Sequence, residues 1–331
     1  MGIGKVLIIA EMQGGIVLKA SYELLAKARR VFSFGDVKIG FAVFGDDIQN
    51  AVRELSASGA DFVFGMESAK LALFNVDYFA LAMREAVKAW DPDVILIPAT
   101  SSGEELAPTL GVRLHTGVAA HCVDFELRED GRFVQMVPAF GGKVIGEILI
   151  PDRKPQIATV KPGMFQAEPQ PSVRCEVIML DHSSVESFSS KIKALRKLEK
   201  EMTGQPLDKA PVVVCGGYGL GSKEVWEKIE LLASRLGGAA GCTRPVVDEG
   251  WAEDEDLMIG TSGKTIRPMV YIGFGVSGAA HHVCGMKDAG IIISVNNDEQ
   301  AEMFHVSDYK VVGDLKGILD ELLRQCPPQQ T

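Results

Sequence analysis

Residues 267–286 read RPMVYIGFGVSGAAHHVCGM, and this stretch decides the fold. Its first half, MVYIGF, is a short apolar run of strand character, and the residues from Ala279 onward have helical character. Between them Gly273, Gly275 and Gly278 match G-x-G-x-x-G, and Asp298 follows twenty positions after the last glycine. A strand, a glycine turn and a helix in this order let backbone N–H groups approach a pyrophosphate. The pattern alone also suits a nicotinamide-dependent dehydrogenase, although such an enzyme carries it in its first βα turn rather than near the chain's end.

Working outward, PVVVCGGYGLGS (211–222) is a second strand running into a glycine-rich turn, and KEVWEKIELLASRLGG (223–238) is an amphipathic helix with a glycine stop. GIIISVNND (290–298) and YKVVGD (309–314) read as further strands, and LKGILDELLRQC (315–326) as a closing helix. The first hundred residues show the same alternation. KVLIIA, VKIGFAVF, ADFVFGM and DVILIPAT are strand-like, and three segments of helical spacing lie between them. The expected fold class is therefore α/β with two domains. The N-terminal one has a parallel sheet; the C-terminal one is doubly wound and Rossmann-like. Residues 117–180 add strands separated by turns at Asp130-Gly131, Gly141-Gly142 and Pro151-Asp152, so they are expected to be partly antiparallel. A polar, proline-bearing stretch and a basic helical segment fill roughly 165–205. The boundary is placed there, giving domains 1–204 and 205–331.

The 331 residues carry a formal charge of −10, which argues against general affinity for nucleic acid or anionic membrane. Six scattered cysteines make no C-x-x-C and fit no metal-site spacing, as expected of a reducing compartment. No apolar run approaches the ~18 residues of a membrane helix, and the start lacks signal-peptide character. A cytoplasmic chain without direct membrane insertion is expected. Ser101, Ser102, Glu104, His115 and His121 form no nucleophile–histidine–acid pattern and read as caps and packing.

Between the two glycine turns, Arg244 stands in a small, apolar context, and residues 258–265 (MIGTSGKT) are small and hydroxyl-bearing. His281 and His282 follow Gly278. This is a site for a large anionic cofactor with a polar ring; taken singly, each residue is equally an ion pair, a cap or a core side chain. GCTRPVVDEG (241–250), MIGTSGKT, RPMVYIGFGVSGAAHHVCGM, IIISVNND (291–298) and VSDYKVVGDL (306–315) occur in the order and spacing of one family. So do LAPTLGVRLHTGVAAHC (106–122) and PAFGGKVIGEILIPDRKPQIATVKPGMF (138–165). Over nearly its whole length the chain resembles the α subunit of electron transfer flavoproteins.

The resemblance implies FAD on the C-terminal domain, a β-subunit partner, and electron exchange with a flavoprotein dehydrogenase such as an acyl-CoA dehydrogenase. That is a carrier rather than a substrate-transforming enzyme. Membership of an electron-bifurcating complex stays open, and the alternative is a free-standing nicotinamide- or flavin-dependent oxidoreductase acting on a small substrate. It further implies that Arg244 lies against the isoalloxazine ring, where a cation favours the reduced flavin. Ser262 would reach flavin N5, and the His282 imidazole N–H the N1/O2 edge. Thr243, Ile259, Gly260 and Thr261 would line the flavin. Ser277, Gly278, Ala279, Ala280 and His281 would follow the ribityl–pyrophosphate stretch, and Asn296, Asp314 and Leu315 the adenosine end. Asp298 is left as a turn or cap residue. Three positions depart from the family pattern. Tyr218 replaces a phosphate-facing arginine and can still donate a hydrogen bond or stack, while Thr261 and His281 replace glutamines.

Overall fold

The computed structural model describes residues 3–33, 36–139, 144–168, 174–193, 205–261 and 263–326. They form two compact units, one of residues up to 193 and one from 205 onward. The Gly141-Gly142 turn, Ser262 and most of the basic segment lie outside the described residues.

In the first unit β1 (Lys5–Ala10) leads through a small hairpin, β2 (Met12–Gln13) and β3 (Ile16–Val17), into α1 (Lys19–Val31). Then follow β4 (Lys38–Gly45), α2 (Gln49–Ser56), β5 (Phe62–Glu67), α3 (Val76–Trp90), β6 (Val94–Pro98) and α4 (Ser101–Leu114). The remaining elements are β7 (Val118–Cys122), β8 (Asp124–Leu127), β9 (Phe133–Ala139), β10 (Val144–Ile148), β11 (Gln156–Val160), β12 (Glu176–Met179) and α5 (Ser183–Ser187). Seven strands form one sheet in the order β12-β5-β4-β1-β6-β11-β7. Every pairing in it is parallel.

Strand β1 explains why the first apolar run is continuous rather than alternating. Val6 and Ile8 enter one core while Leu7 and Ile9 enter the core on the opposite face. A parallel sheet covered on both sides needs apolar residues at every position. Helix starts follow local chemistry: Asn75 Oδ1 accepts from the Asp77 and Tyr78 N–H groups, and Thr100 Oγ1 from Gly103 N–H. The antiparallel additions are β8, β9 and β10, which form a separate three-stranded sheet. Strands β7, β11 and β12 instead join the parallel sheet, β11 entering between β6 and β7. Their direction is set by the long connections before them, which alternation of apolar residues does not encode.

The second unit runs β13 (Val212–Gly216), α6 (Lys223–Arg235), β14 (Ala239–Cys242), α7 (Arg244–Asp248), β15 (Val270–Phe274), α8 (Ala280–Val283), β16 (Ile291–Asn296), β17 (Tyr309–Val312) and α9 (Leu315–Gln325). Its sheet is parallel throughout, in the order β14-β13-β15-β16-β17. One face packs Val214, Phe274 and Val295 against Trp226 and Ile229 of α6 and Leu319 of α9. The other packs Val213, Cys215 and Tyr271 against Ile259, Ile266, Met286 and Met303. Each fully buried large side chain contributes roughly 1.5–3 kcal/mol. Strand β14 escapes a reading by apolar runs because AAGC is small; the Ile259 side chain packs over Gly241, where a Cβ would stand 2.5 Å from Ile259 Cδ1. The helix expected from Ala279 onward shrinks to α8. Just beyond it the backbone at Gly285 packs on Gly260, where a Cβ would meet Gly260 N at 2.6 Å.

Candidate functional site

In this order the first and third strands of the unit are neighbours, so the connections leaving β13 and β15 diverge. Open α/β sheets bind ligands at the carboxyl ends of the strands beside such a switch point. A cavity of about 750 Å³ opens there. The two glycine turns build its floor by docking on one another. Gly217 N–H donates to the Phe274 carbonyl at 2.9 Å, and Gly219 N–H to the Gly275 carbonyl at 3.0 Å. A Cβ on Gly217 would sit 2.2 Å from Gly275 O. The glycines thus serve turn-to-turn packing, a demand that the fingerprint reading attributed to a pyrophosphate alone.

Of the residues singled out in the sequence, Tyr218, Thr243, Arg244, Ile259, Gly260, Thr261, Ser277, Ala279, His281, His282 and Asn296 line this cavity. Gly278 and Ala280 are not among its lining residues, and Ser262 lies outside the described residues. Asp314 caps α9, accepting from the Lys316 and Gly317 N–H groups, and Leu315 is buried in the core beneath that helix. Asp298 does both: its carboxylate accepts from Gln300 N–H at 2.9 Å, and it borders the cavity. Sequence reasoning missed Pro245, Met258, Val276, Gln300, Ala301 and Glu302, which also line it. The topology would have found the last three, because the connection after β16 must leave from the same sheet edge as the glycine turns.

Arg244, the first residue of α7, is the one lysine or arginine among the described lining residues. Its side chain is 70% exposed, with Nε 3.5 Å from Asp248 Oδ2. Among the described residues, the buried Thr243 Oγ1 has no hydrogen-bond partner. Such a hydroxyl is costly unless something else satisfies it. Tyr218 is exposed and stacks on Trp251, ring centroids 5.8 Å apart and planes 8° from parallel. Two departures from the family pattern meet: Thr261 N–H donates to the His281 carbonyl at 2.9 Å, and Thr261 Oγ1 lies 3.2 Å from His281 Nδ1. Gly260, at φ +138°, allows this approach, since a Cβ there would stand 2.5 Å from His281 O.

His282 differs from expectation. It is 6% exposed, and both ring nitrogens are engaged within the chain: Nδ1 is 3.0 Å from the Ile259 carbonyl and Nε2 is 2.8 Å from Tyr271 Oη. A carbonyl only accepts, so Nδ1 carries the proton and Nε2 accepts from the phenol. Burial lowers the imidazole pKa to about 4, so the ring is neutral. No ring N–H is left over for a flavin edge.

Residues 206–287 match the family described as Electron transfer flavoprotein FAD-binding domain, and residues 6–185 that described as Electron transfer flavoprotein domain. The chain is 35% identical to an electron transfer flavoprotein subunit alpha of Thermoanaerobacterium thermosaccharolyticum, over 96% of each chain. It is 34% identical to the corresponding subunit of Clostridium acetobutylicum, over 96% of this chain and 95% of that one. It is also 32% identical to the LctC subunit of a lactate dehydrogenase (NAD(+),ferredoxin) of Acetobacterium woodii, over 93% of this chain and 73% of that one. A parallel α/β unit with a cavity at its switch point defines a dinucleotide-binding protein. Within that class, the chain belongs to the electron transfer flavoprotein α-subunit family, whose cofactor is FAD. The site fits that cofactor: the buried Thr243 hydroxyl has no hydrogen-bond partner among the described residues, and the backbone of Gly219 and Gly275 lines the cavity without a side chain of its own.

Among the described residues, no helix is long and apolar enough to cross a membrane, and no group of three histidine, cysteine or acidic side chains is placed to hold a metal.

Proposed function

We propose that this chain is the FAD-carrying α subunit of a two-chain electron transfer flavoprotein in the cytoplasm. It pairs with a β subunit and relays electrons from a flavoprotein dehydrogenase, such as an acyl-CoA dehydrogenase, to a downstream acceptor. When bound, FAD supplies the redox chemistry. The chain's own residues hold and tune it: Arg244 presents a guanidinium at the ring, Thr243 and Thr261 present hydroxyls, and Asn296 and Ser277 flank the remainder. The unit from residue 205 onward is the flavin shelf, and the unit up to 193 is the scaffold that docks on the partner.

One observation carries the carrier reading over a free-standing oxidoreductase. Apart from His282, whose ring nitrogens are taken, the titratable lining groups Tyr218, Arg244, His281, Asp298 and Glu302 are all exposed. Substrate chemistry is favoured where the reacting groups are enclosed away from water. Co-purification with a β-subunit-type partner should yield a yellow complex that takes electrons from a dehydrogenase. A chain that alone turned over a small substrate with a nicotinamide would sink the reading. The likeness to LctC favours a second reading, a place in an electron-bifurcating complex; its test is whether the assembled complex oxidises NADH and passes one electron of each pair to ferredoxin only while the other goes to a second acceptor of higher potential.

Arg244→Ala in the loaded complex is expected to lower the flavin midpoint potential by roughly 60 mV, one decade in a one-electron equilibrium. The exposure of Arg244 keeps the effect this small. An unchanged reductive titration would remove Arg244 from the tuning role.

A further inference from the structure

Tyr271, Cys215 and His282 come from three separate elements and converge beneath the cavity floor. Alternation along the strands explains the first two. Tyr271 on β15 stands opposite Val213 on β13, and Cys215, two residues further on, points to the same face. Opposite Cys215 is Gly273, the first glycine of the fingerprint. A Cβ at Gly273 would stand 3.0 Å from Tyr271 Cε1 and 3.2 Å from its hydroxyl. The phenol therefore leans along its own strand over the space a side chain at 273 would fill. There it reaches His282 Nε2 at 2.8 Å, with Cys215 Sγ 3.9 Å from the same nitrogen. On its other side the imidazole donates from Nδ1 to the Ile259 carbonyl, in the segment that supplies Met258, Ile259, Gly260 and Thr261 to the cavity.

We propose that Tyr271 is a positioning residue: by donating to Nε2 it holds the His282 ring so that Nδ1–H reaches the Ile259 carbonyl, which pins Met258–Thr261 against α8 as one wall of the cofactor cavity. A phenol in this place must act as donor. Burial raises the ionisation of Tyr271 far above its ordinary value and that of the Cys215 thiol to about 12, so both stay protonated. The groups facing the ring are then two neutral side chains and one carbonyl. With Nε2 occupied by an acceptor role, only the tautomer that donates to Ile259 satisfies both nitrogens. The first glycine of the G-x-G-x-x-G pattern gains a role that the pattern does not state, which is to leave room for this phenol. The tautomer and the loop contact stand on the chain alone. That the wall is a flavin wall rests on the function proposed above.

The test is Tyr271→Phe in the full-length chain, a near-isosteric change that removes only the hydroxyl. Ring ¹⁵N shifts of labelled histidine, assigned by difference from His282→Gln, report the tautomer, and absorbance after gel filtration reports retained FAD. Wild type should show the Nδ1–H tautomer with Nε2 hydrogen-bonded, and Tyr271→Phe an Nε2 resonance shifted downfield by loss of the phenol donor, together with FAD release about tenfold faster. An unaltered Nε2 resonance in Tyr271→Phe, or FAD release within about twofold of wild type despite a shifted one, overturns the proposal. Tyr271→His restores a donor to the same space and should recover part of the retention; a merely space-filling role would be rescued by Phe instead. Wild type that holds no FAD, alongside an Nε2 resonance shifted by Tyr271→Phe, would support the positioning role while overturning the flavin reading.

Discussion

Gly217→Ala is expected to empty the cofactor cavity. The added methyl would stand 2.2 Å from Gly275 O, 2.6 Å from Gly275 C and 2.7 Å from Val276 Cα, all backbone atoms of the facing turn. A flexible side chain moves aside; backbone tied into two strands does not. The turns after β13 and β15 must part, breaking the bonds from Gly217 N–H to Phe274 O and from Gly219 N–H to Gly275 O. Overpacking with the loss of two hydrogen bonds costs about 3 kcal/mol or more. Denaturant unfolding should show that loss in the transition of the second unit, and purified protein should be colourless. Gly313→Ala is the matched control, because its Cβ would meet only Ile318 Cδ1 at 3.4 Å, ordinary contact distance. A yellow Gly217→Ala protein of wild-type stability would show that the turns do not pack as described.

The second large effect is on the dependence of stability on pH. His282 is neutral in the fold with a pKa of about 4, against an ordinary value of 6.5. Between those values the unfolded chain binds a proton at this site that the folded chain does not. Stability therefore rises with pH across that window. The contribution is fully present above about 6.5 and is lost as pH falls toward 4, amounting to roughly 3 kcal/mol in all. The cause is desolvation of the charged ring, opposed in part by the bond to the Ile259 carbonyl. Tyr271, Cys215 and that carbonyl supply no negative charge to offset it. Stability curves for wild type and His282→Gln should diverge in slope between pH 6.5 and 4 and run parallel above it. Parallel curves throughout would mean that the imidazole is not buried neutral.

Particular residues show how far the sequence could be read. The apolar runs from Lys5 to Pro98 announced a parallel sheet because strands covered on both faces leave period-two alternation nothing polar to display. The glycine turns after Val214 and Ile272 announced a ligand site, and the family motifs placed most of the cavity wall from Tyr218 to Asn296. Three things stayed hidden. Strand β14 carried no signal, because alanine and glycine pair in a sheet as well as valine does when neighbours fill the space. The direction of β11 was undetermined, because a connection and not a side-chain pattern decides it. The bonding of His282 was not legible, because its neighbours in space, Tyr271 and Cys215, lie 11 and 67 positions away along the chain.

Sequence by itself determined the α/β class, the cofactor and the family of this protein, since each rests on local periods and on motifs of fixed spacing. Only the tertiary structure decided what those motif residues do. The fingerprint glycines hold two turns together and make room for a phenol, and the expected flavin-facing imidazole spends both nitrogens within the chain. Close approach and hydrogen-bond satisfaction are properties of segments brought together from different strands, and no single stretch of sequence records them.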